Sequence, residues 1–290
     1  MAFGQHQTFY LRQKWLTKGL VEVSNDSRFF YTEDCFEKLG VGKNMAKAIR
    51  HWLVATGLVY ESRKGGRIDH VLTEFGEIVL EHDRFIQNPI TLGLLHYNLV
   101  SKKDLASTWY WFFNVFPERV FSKQSALESL TKWVEQSFEK AVSESSLKRD
   151  IDCLIQLYLR KGFTEQMTPE DVIQSPLELL GLVQQSTAST YVKKEMQLEN
   201  KEAILFLALI QYSKVHDVKE FDINDLVNTP GLLGKTFNIQ RVQILEYVEL
   251  LPKKYPVKFI QTNRLNIVRI DTEATFIELL KKYLKCEERA

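Results

Sequence analysis

The stretch from Gly40 to Leu53 constrains this chain more than any other, because within one helical length it separates charge from apolar surface. At the roughly 100° step of a helix, Lys43, Asn44, Lys47, Arg50 and His51 fall on one arc, and Met45, Ala46, Ile49, Trp52, Leu53 and Thr56 on the other. Such a helix has one face to bury and one to offer to an anionic ligand, the pattern of a DNA-recognition helix. Upstream, Thr32-Glu33-Asp34 can cap a short helix running to Leu39, and Gly40 and Gly42 permit the tight turn of a helix-turn-helix. Downstream, Leu58 to Glu61 and Ile68 to Leu72 read as strands around the loop Ser62-Arg63-Lys64-Gly65-Gly66-Arg67, a cationic wing. Between Lys43 and Arg67 six Lys or Arg residues face one carboxylate, Glu61, whereas the whole 290-residue chain balances 38 basic against 37 acidic residues. A neutral protein that concentrates cations on one helix and one loop makes a local phosphate-binding patch. The competing reading is a solvated charged face.

Around this centre the chain divides into three modules. Residues 1–84 form an N-terminal winged-helix DNA-binding module. Its first helix, His6 to Val23, buries Leu11, Trp15, Leu16, Leu20 and Val23 and turns Arg12, Lys14 and Lys18 outward, so Arg12 and Lys18 join the expected DNA contacts. Phe29, Phe30 and Tyr31 supply a short strand against the wing, and Thr73 caps a closing helix from Glu74 to about Asp83. Residues 85–198 hold helices Ile90–Val100 and Lys103–Phe116. The consecutive aromatics from Trp109 to Phe113 in the second of these leave no polar face and predict burial in a core or an interface rather than base stacking. Helices Ser122–Lys140 and Ser145–Leu159 follow, then a hairpin from Gly181–Val183 and Thr190–Val192. Residues 199–290 repeat the order: helices Lys201–Lys214, Asp222–Asn228 and Ile239–Leu251, strands Val257–Ile260 and Leu265–Arg269 around Thr262-Asn263-Arg264, and a helix opened by Thr272. The expected class is mainly α with small β-hairpins (α+β), as tandem winged helix-turn-helix-like modules. In the third module the recognition-helix position carries only Gln240, Arg241 and Gln243, with Glu246 and Glu249, a poorer DNA reader suited to a structural or dimerising copy.

No phosphate-cradling loop, dinucleotide glycine fingerprint, zinc spacing or nucleophile elbow is present, which argues against ATPases, dehydrogenases, zinc enzymes and common hydrolases. Cys35, Cys153 and Cys286 are far apart and odd in number, the first residues show no secretory segment, and the longest apolar run, Ala203 to Ile210, is too short to span a bilayer. A soluble cytoplasmic protein without membrane contact is expected, Cys35 and Cys153 as core residues and Cys286 in a charged tail. If the chain cuts DNA it needs Mg or Mn and the groups to hold it; Glu77, Glu81, His82 and Asp83 are the nearest set, with an exposed acidic face as their plainer reading. Asp150 and Asp152 with Lys148 form a second candidate, also readable as solvated helix charge. His6, with Arg12, is a third: it could contact phosphate or polarise a scissile bond, or pack as a satisfied histidine.

Four groups of residues carry a family resemblance: Gln5 to Arg12; Trp15 to Leu20; Leu39 to Met45 with Ile49 to Leu53; and Ala106 to Phe113 with Leu147 to Cys153. In these the chain resembles an SspB-like family, bacterial domains of unknown function encoded beside DNA phosphorothioation genes. The likeness is densest over the first third and fades after about Pro176. It implies a DNA-binding component that nicks one strand to admit sulfur, acting on double-stranded DNA beside a cysteine desulfurase, an ATPase and a phosphoadenosine-phosphosulfate-reductase-like protein. A homodimer is a further option, and no tightly bound cofactor is expected. The residues leave open whether the chain itself cuts. The alternative is a non-catalytic winged-helix transcription regulator that uses its second and third modules for dimerisation or effector sensing.

Overall fold

Helix α1 (Gln13–Asn25) starts after Arg12 and not at His6. Residues 4–8 form turns, with Phe9 N donating to His6 O, and Gln7 and Thr8 hold φ of 52° and 71°, values no right-handed helix accommodates. The computed structural model describes residues 2–160, 174–262 and 266–287, apart from the side chains of Lys64, Cys286 and Glu287. Helices α2 (Cys35–Leu39) and α3 (Lys43–Ala55) are joined through Gly40, whose φ of +65° closes α2 in the left-handed conformation that glycine adopts most readily. α1 crosses α3 at Gly19, where a Cβ would sit 2.5 Å from Leu53 Cδ1.

Phe29–Tyr31 is a 3-10 turn and not the expected strand: Tyr31 N and Thr32 N bond back to Arg28 O and Phe29 O, and only Ser27 O accepts from the hairpin, from His70 N at 2.8 Å. The hairpin is longer and its loop shorter than predicted. β1 (Val59–Lys64) and β2 (Arg67–Leu72) pair from Val59 opposite Leu72 to Lys64 opposite Arg67, leaving only Gly65 and Gly66 in the turn. Their φ of 58° and 76° match a two-residue turn whose twist suits the flanking strands, so pairing extends to the last possible residue. α4 (Glu74–His82) follows, its first turn capped by Thr73, which accepts from Gly76 N at 3.0 Å.

The middle of the chain comprises α5 (Pro89–Ser101), α6 (Ser107–Asn114), β3 (Val120–Ser122), α7 (Lys123–Ser137), α8 (Glu144–Tyr158), β4 (Val183–Gln185) and β5 (Thr190–Lys193). The last part comprises α9 (Lys201–His216), β6 (Glu220–Asp222), α10 (Ile223–Asn228), α11 (Leu233–Thr236), α12 (Arg241–Leu250), β7 (Val257–Gln261), β8 (Asn266–Ile270) and α13 (Phe276–Glu287). Residues Asn263, Arg264 and Leu265 of the expected last hairpin lie outside the described residues. β3 and β6 are not anticipated by the sequence. Each is three residues with a buried central phenylalanine, Phe121 or Phe221, and each runs straight into the cap of the next helix, Ser122 or Asp222. They complete antiparallel sheets in the orders β3-β5-β4 and β6-β8-β7. The second and third parts therefore share the order helix, strand, helices, hairpin, and the first has the Ser27–His70 contact where the others have a strand. The chain is mainly helical with three small antiparallel sheets.

One apolar core runs through all three parts. α5 and α9 are apolar on nearly every face and accordingly lie at its centre. They approach closely because Gly93 has no Cβ; one would fall 2.5 Å from Ile204 Cγ2. The aromatic helix α6 is enclosed as predicted, with Trp109, Trp111, Phe112 and Phe113 buried and Tyr110 half-buried. Beside it, fully buried His96 ties three helices together: its Nε2 donates to Thr236 O at 2.8 Å, which leaves Nδ1 to accept from the Tyr158 hydroxyl at 2.7 Å. Burial pushes its pKa down to about 4, so the ring is neutral.

Candidate nucleic-acid interface

Burial of Ala46, Ile49, Trp52 and Leu53 against α1 and the core turns the opposite face of α3 outward. Lys43, Asn44 and Lys47 are exposed along it, and Arg50 is half-buried with its guanidinium 5.8 Å from the centre of the Tyr31 ring. Lys43 Nζ stands 5.1 Å over Phe36. Lys43, Lys47 and Arg50 border a groove of about 720 Å³ between α3 and the start of α2, floored by Phe30, Phe36 and Ala46. Its far wall carries Glu33, Asp34 and Glu37. Of these, Asp34 is paired with Lys38 at 3.0 Å, and hydrogen bonds from Lys38 and Thr32 hold its carboxyl below its ordinary value. The cations therefore form a stripe with an acidic border rather than a broad positive field. Arg63 and Arg67 are exposed at the hairpin tip; the Lys64 side chain lies outside the described residues.

Three further residues from the predicted set have other local tasks. His51 is half-buried beside Trp52, ring centres 5.2 Å apart, and burial, with His6 and Arg50 close by, pushes its pKa down to about 3. It is neutral at physiological pH and adds no cation to the stripe. Lys18 Nζ donates to Leu39 O at 2.8 Å, holding the turn that leads into α3, and Arg12 lies over the Trp15 ring at 5.0 Å.

His6 is enclosed, 1% exposed, with Nε2 2.8 Å from Asp150 Oδ1. Its ring stacks near Trp52 of α3 and meets Trp109 of α6 edge-on. Asp150, also fully buried, accepts from Gly4 N at 2.9 Å and from the Thr108 hydroxyl at 2.6 Å. Reading Asp150 as solvated helix charge is therefore corrected. It shares the inward arc of α8 with Leu147, Ile151 and Leu154 at three- and four-residue spacing, a signal visible in the sequence. Asp152 does face outward, 2.6 Å from Lys123 Nζ, and Lys148 is exposed. Through Gly4, His6 and Phe9, whose carbonyl accepts from Trp52 Nε1 at 3.0 Å, the N-terminal segment straps α3 to α6 and α8.

The four other candidate metal residues are not gathered. Glu77 and Glu81 are exposed, His82 Nε2 stands 3.6 Å from Glu81 Oε2, and the Asp83 carboxylate accepts from Gln87 N and Asn88 N in the loop after α4. Among the described residues no three His, Cys, Asp or Glu side chains are arranged to hold a metal ion. Cys153 is buried, its thiol pushed well up by burial and by Asp150 and Asp152, whereas Cys35 is half-buried and lines the α2–α3 groove; the side chain of Cys286 lies outside the described residues. No helix among the described residues is long and apolar enough to cross a membrane.

No curated protein matches the chain. Among solved structures, one described as magnesium ion-bound SspB superposes with a TM-score of 0.84 at 22% identity, covering 99% of this chain and 87% of that one. A second SspB crystal structure gives the same TM-score and coverage at 23% identity. The fold is thus that of SspB over nearly its whole length. The sequence model of the family described as "Protein of unknown function (DUF4007)" matches residues 3–286, and the chain belongs to that family.

Proposed function

We propose that this protein is a DNA-binding component of a bacterial DNA phosphorothioation system, holding duplex DNA against α3 and the β1–β2 hairpin as a winged helix. The observation that carries the reading is the exposed row Lys43, Asn44 and Lys47 on a helix that follows a glycine turn and precedes a hairpin tipped by Arg63 and Arg67. Lysines and arginines there would neutralise backbone phosphates, and Asn44, with donor and acceptor on one amide, is the side chain suited to reading a base edge. The repeated order of elements supports reading the second and third parts as winged-helix-like units that hold the first and dock partners. The likeness to SspB supports the pathway, and we assign the supply and insertion of sulfur to a cysteine desulfurase, an ATPase and a phosphoadenosine-phosphosulfate-reductase-like protein acting beside this chain. In this reading the strand is opened by a Mg- or Mn-dependent nick, made by this chain or by a partner that it positions.

The binding test is the Lys43→Ala/Lys47→Ala variant in a salt titration of duplex binding. Each phosphate that is no longer neutralised lowers the log-log slope by about 0.9. Unchanged affinity and slope in the folded variant would overturn the placement. Relaxation of supercoiled plasmid with and without Mg²⁺ or Mn²⁺ assigns the nick. Deleting the gene from a host that carries the whole system and measuring phosphorothioate dinucleotides by mass spectrometry tests the pathway. Full modification in the deletion strain overturns that role and favours a transcription regulator.

A further inference from the structure

A second concentration of positive charge, sharing no residue with the groove beside α3, lies where the middle and last parts of the chain meet. A cleft of about 340 Å³ opens between the end of α6 and the start of α12, and four cations, Arg119, Lys193, Lys235 and Arg241, line it with no carboxylate among its lining residues. They come from four separate places: the loop after α6, the end of β5, the end of α11 and the first turn of α12. Like charges drawn from distant sequence positions into one concavity repel one another, so the folded chain bears an energetic penalty here that an anion would relieve.

Lys193 bears a further penalty, that of burial. Its side chain is 5% exposed, and Nζ donates to Phe112 O at 2.5 Å and Phe116 O at 2.7 Å while standing 4.4 Å over the Phe112 ring. An ammonium has three donors, so one N–H remains beyond those two bonds. Burial, with Lys235 and Arg119 as the nearest cations, pulls its pKa down to about 7; Glu118 opposes this, and its carboxylate also accepts from the Ser125 hydroxyl at 3.3 Å. The start of α12 adds backbone donors to the cleft. Gln240 gives α12 no side-chain cap, so the first backbone N–H groups of that ten-residue helix have no partner from it, whereas the amides of Asn228 and Asn238 on the wall already donate to Asn224 O and to Leu182 O and Lys194 O. Arg241 is steadied by Asn224, to whose side-chain oxygen it donates.

We infer that this cleft binds a phosphate oxyanion, held by Arg119, Lys235 and Arg241 at the start of α12 with Lys193 beneath them. Two sources present that chemistry, a nucleic-acid backbone and a free phosphate, and the site stands apart from the α3 face. If the ligand is a backbone phosphate, the third unit is a second DNA-binding surface and not a purely structural copy.

The test uses the full chain and the Arg119→Gln/Arg241→Gln variant, both positions being exposed, with Lys235→Gln as a second variant and thermal midpoints confirming that each folds. Two probes are titrated: inorganic phosphate, by calorimetry, and duplex DNA at several salt concentrations, by fluorescence anisotropy. A backbone ligand predicts that the double variant lowers the log-log salt slope by about 0.9, the contribution of the one phosphate that the cleft holds. A free-phosphate ligand predicts that the parent binds phosphate, that both variants lose this binding, and that the DNA slope does not move. If phosphate binding and DNA slope are both the same in the parent and the variants, the inference is overturned. Running Lys43→Ala/Lys47→Ala in parallel separates the two readings, since failure at α3 leaves that variant unchanged whatever happens at the cleft.

Discussion

Replacing Asp150 by Ala should be among the most damaging single changes to this protein, whereas the same change two residues on at Asp152 should be nearly silent. Asp150 is 0% exposed and its carboxylate receives three donors: His6 Nε2, Gly4 N and the Thr108 hydroxyl. Alanine leaves all three facing a void. Removing one partner of a buried, hydrogen-bonded charged group costs about 3 to 5 kcal/mol, because the donors left behind have given up water without gaining a partner. Asp152 pairs with Lys123 at the surface, where the two side chains are 37% and 49% exposed, and water takes the place of the missing carboxylate at a cost of about 0 to 1 kcal/mol. Urea unfolding followed by tryptophan fluorescence reads both. At a slope of about 3 kcal/mol per molar, the Asp150→Ala midpoint should fall by about 1 M and the Asp152→Ala midpoint should hardly move. A cycle with His6→Ala should be strongly non-additive, since either change breaks the same bond. The reasoning is refuted if Asp150→Ala stays within about 1 kcal/mol of the parent, or if Asp152→Ala costs as much.

His96 makes stability pH-dependent with a definite sign. Its pKa is about 4 folded against 6.5 for an ordinary histidine, so as pH falls below 6.5 the unfolded chain takes a proton that the folded chain refuses, and stability is lost down to about pH 4. One site amounts to roughly 1.4 kcal/mol per pH unit across that window. His51, pushed to about 3, adds in the same direction, and equal urea midpoints at pH 7 and pH 5 would contradict this account. Trp111→Ala should cost about 3 to 5 kcal/mol, as expected for a buried large aromatic; a variant that melts like the parent but loses single-strand DNA binding would instead make α6 a stacking surface. Gly76→Ala should destabilise by about 1 to 3 kcal/mol, because its Cβ would lie 2.0 Å from Leu58 O, a backbone atom that cannot swing aside. A thermal midpoint no lower than the parent's would show that α4 can shift.

What the sequence determined by itself is what depends on residues close together along the chain. The two faces of α3 follow from helical periodicity, the hairpin from two short apolar-rich runs around Gly65-Gly66, and the burial of α6 from its lack of any polar face. The mainly helical class with small hairpins is legible for the same reason. Local pattern misjudged the hairpin loop only in length, because pairing continues as far as a two-glycine turn permits. The tertiary structure decided whatever depends on a distant partner. β3 and β6 are too short to show a period and exist through pairing with β5 and β8, about 70 and 50 residues away. Asp150 and Asp152 are the same residue type on one helix, yet one meets His6 in the core across 144 residues and the other meets Lys123 at the surface. His51 lies on the cationic arc by its angle but is neutral by its burial, and Arg119, Lys193, Lys235 and Arg241 become one cleft only when the middle and last parts of the chain have packed together. A side chain's charge state and partners are set by the dielectric and the donors around it, and those are supplied by whatever the fold brings close.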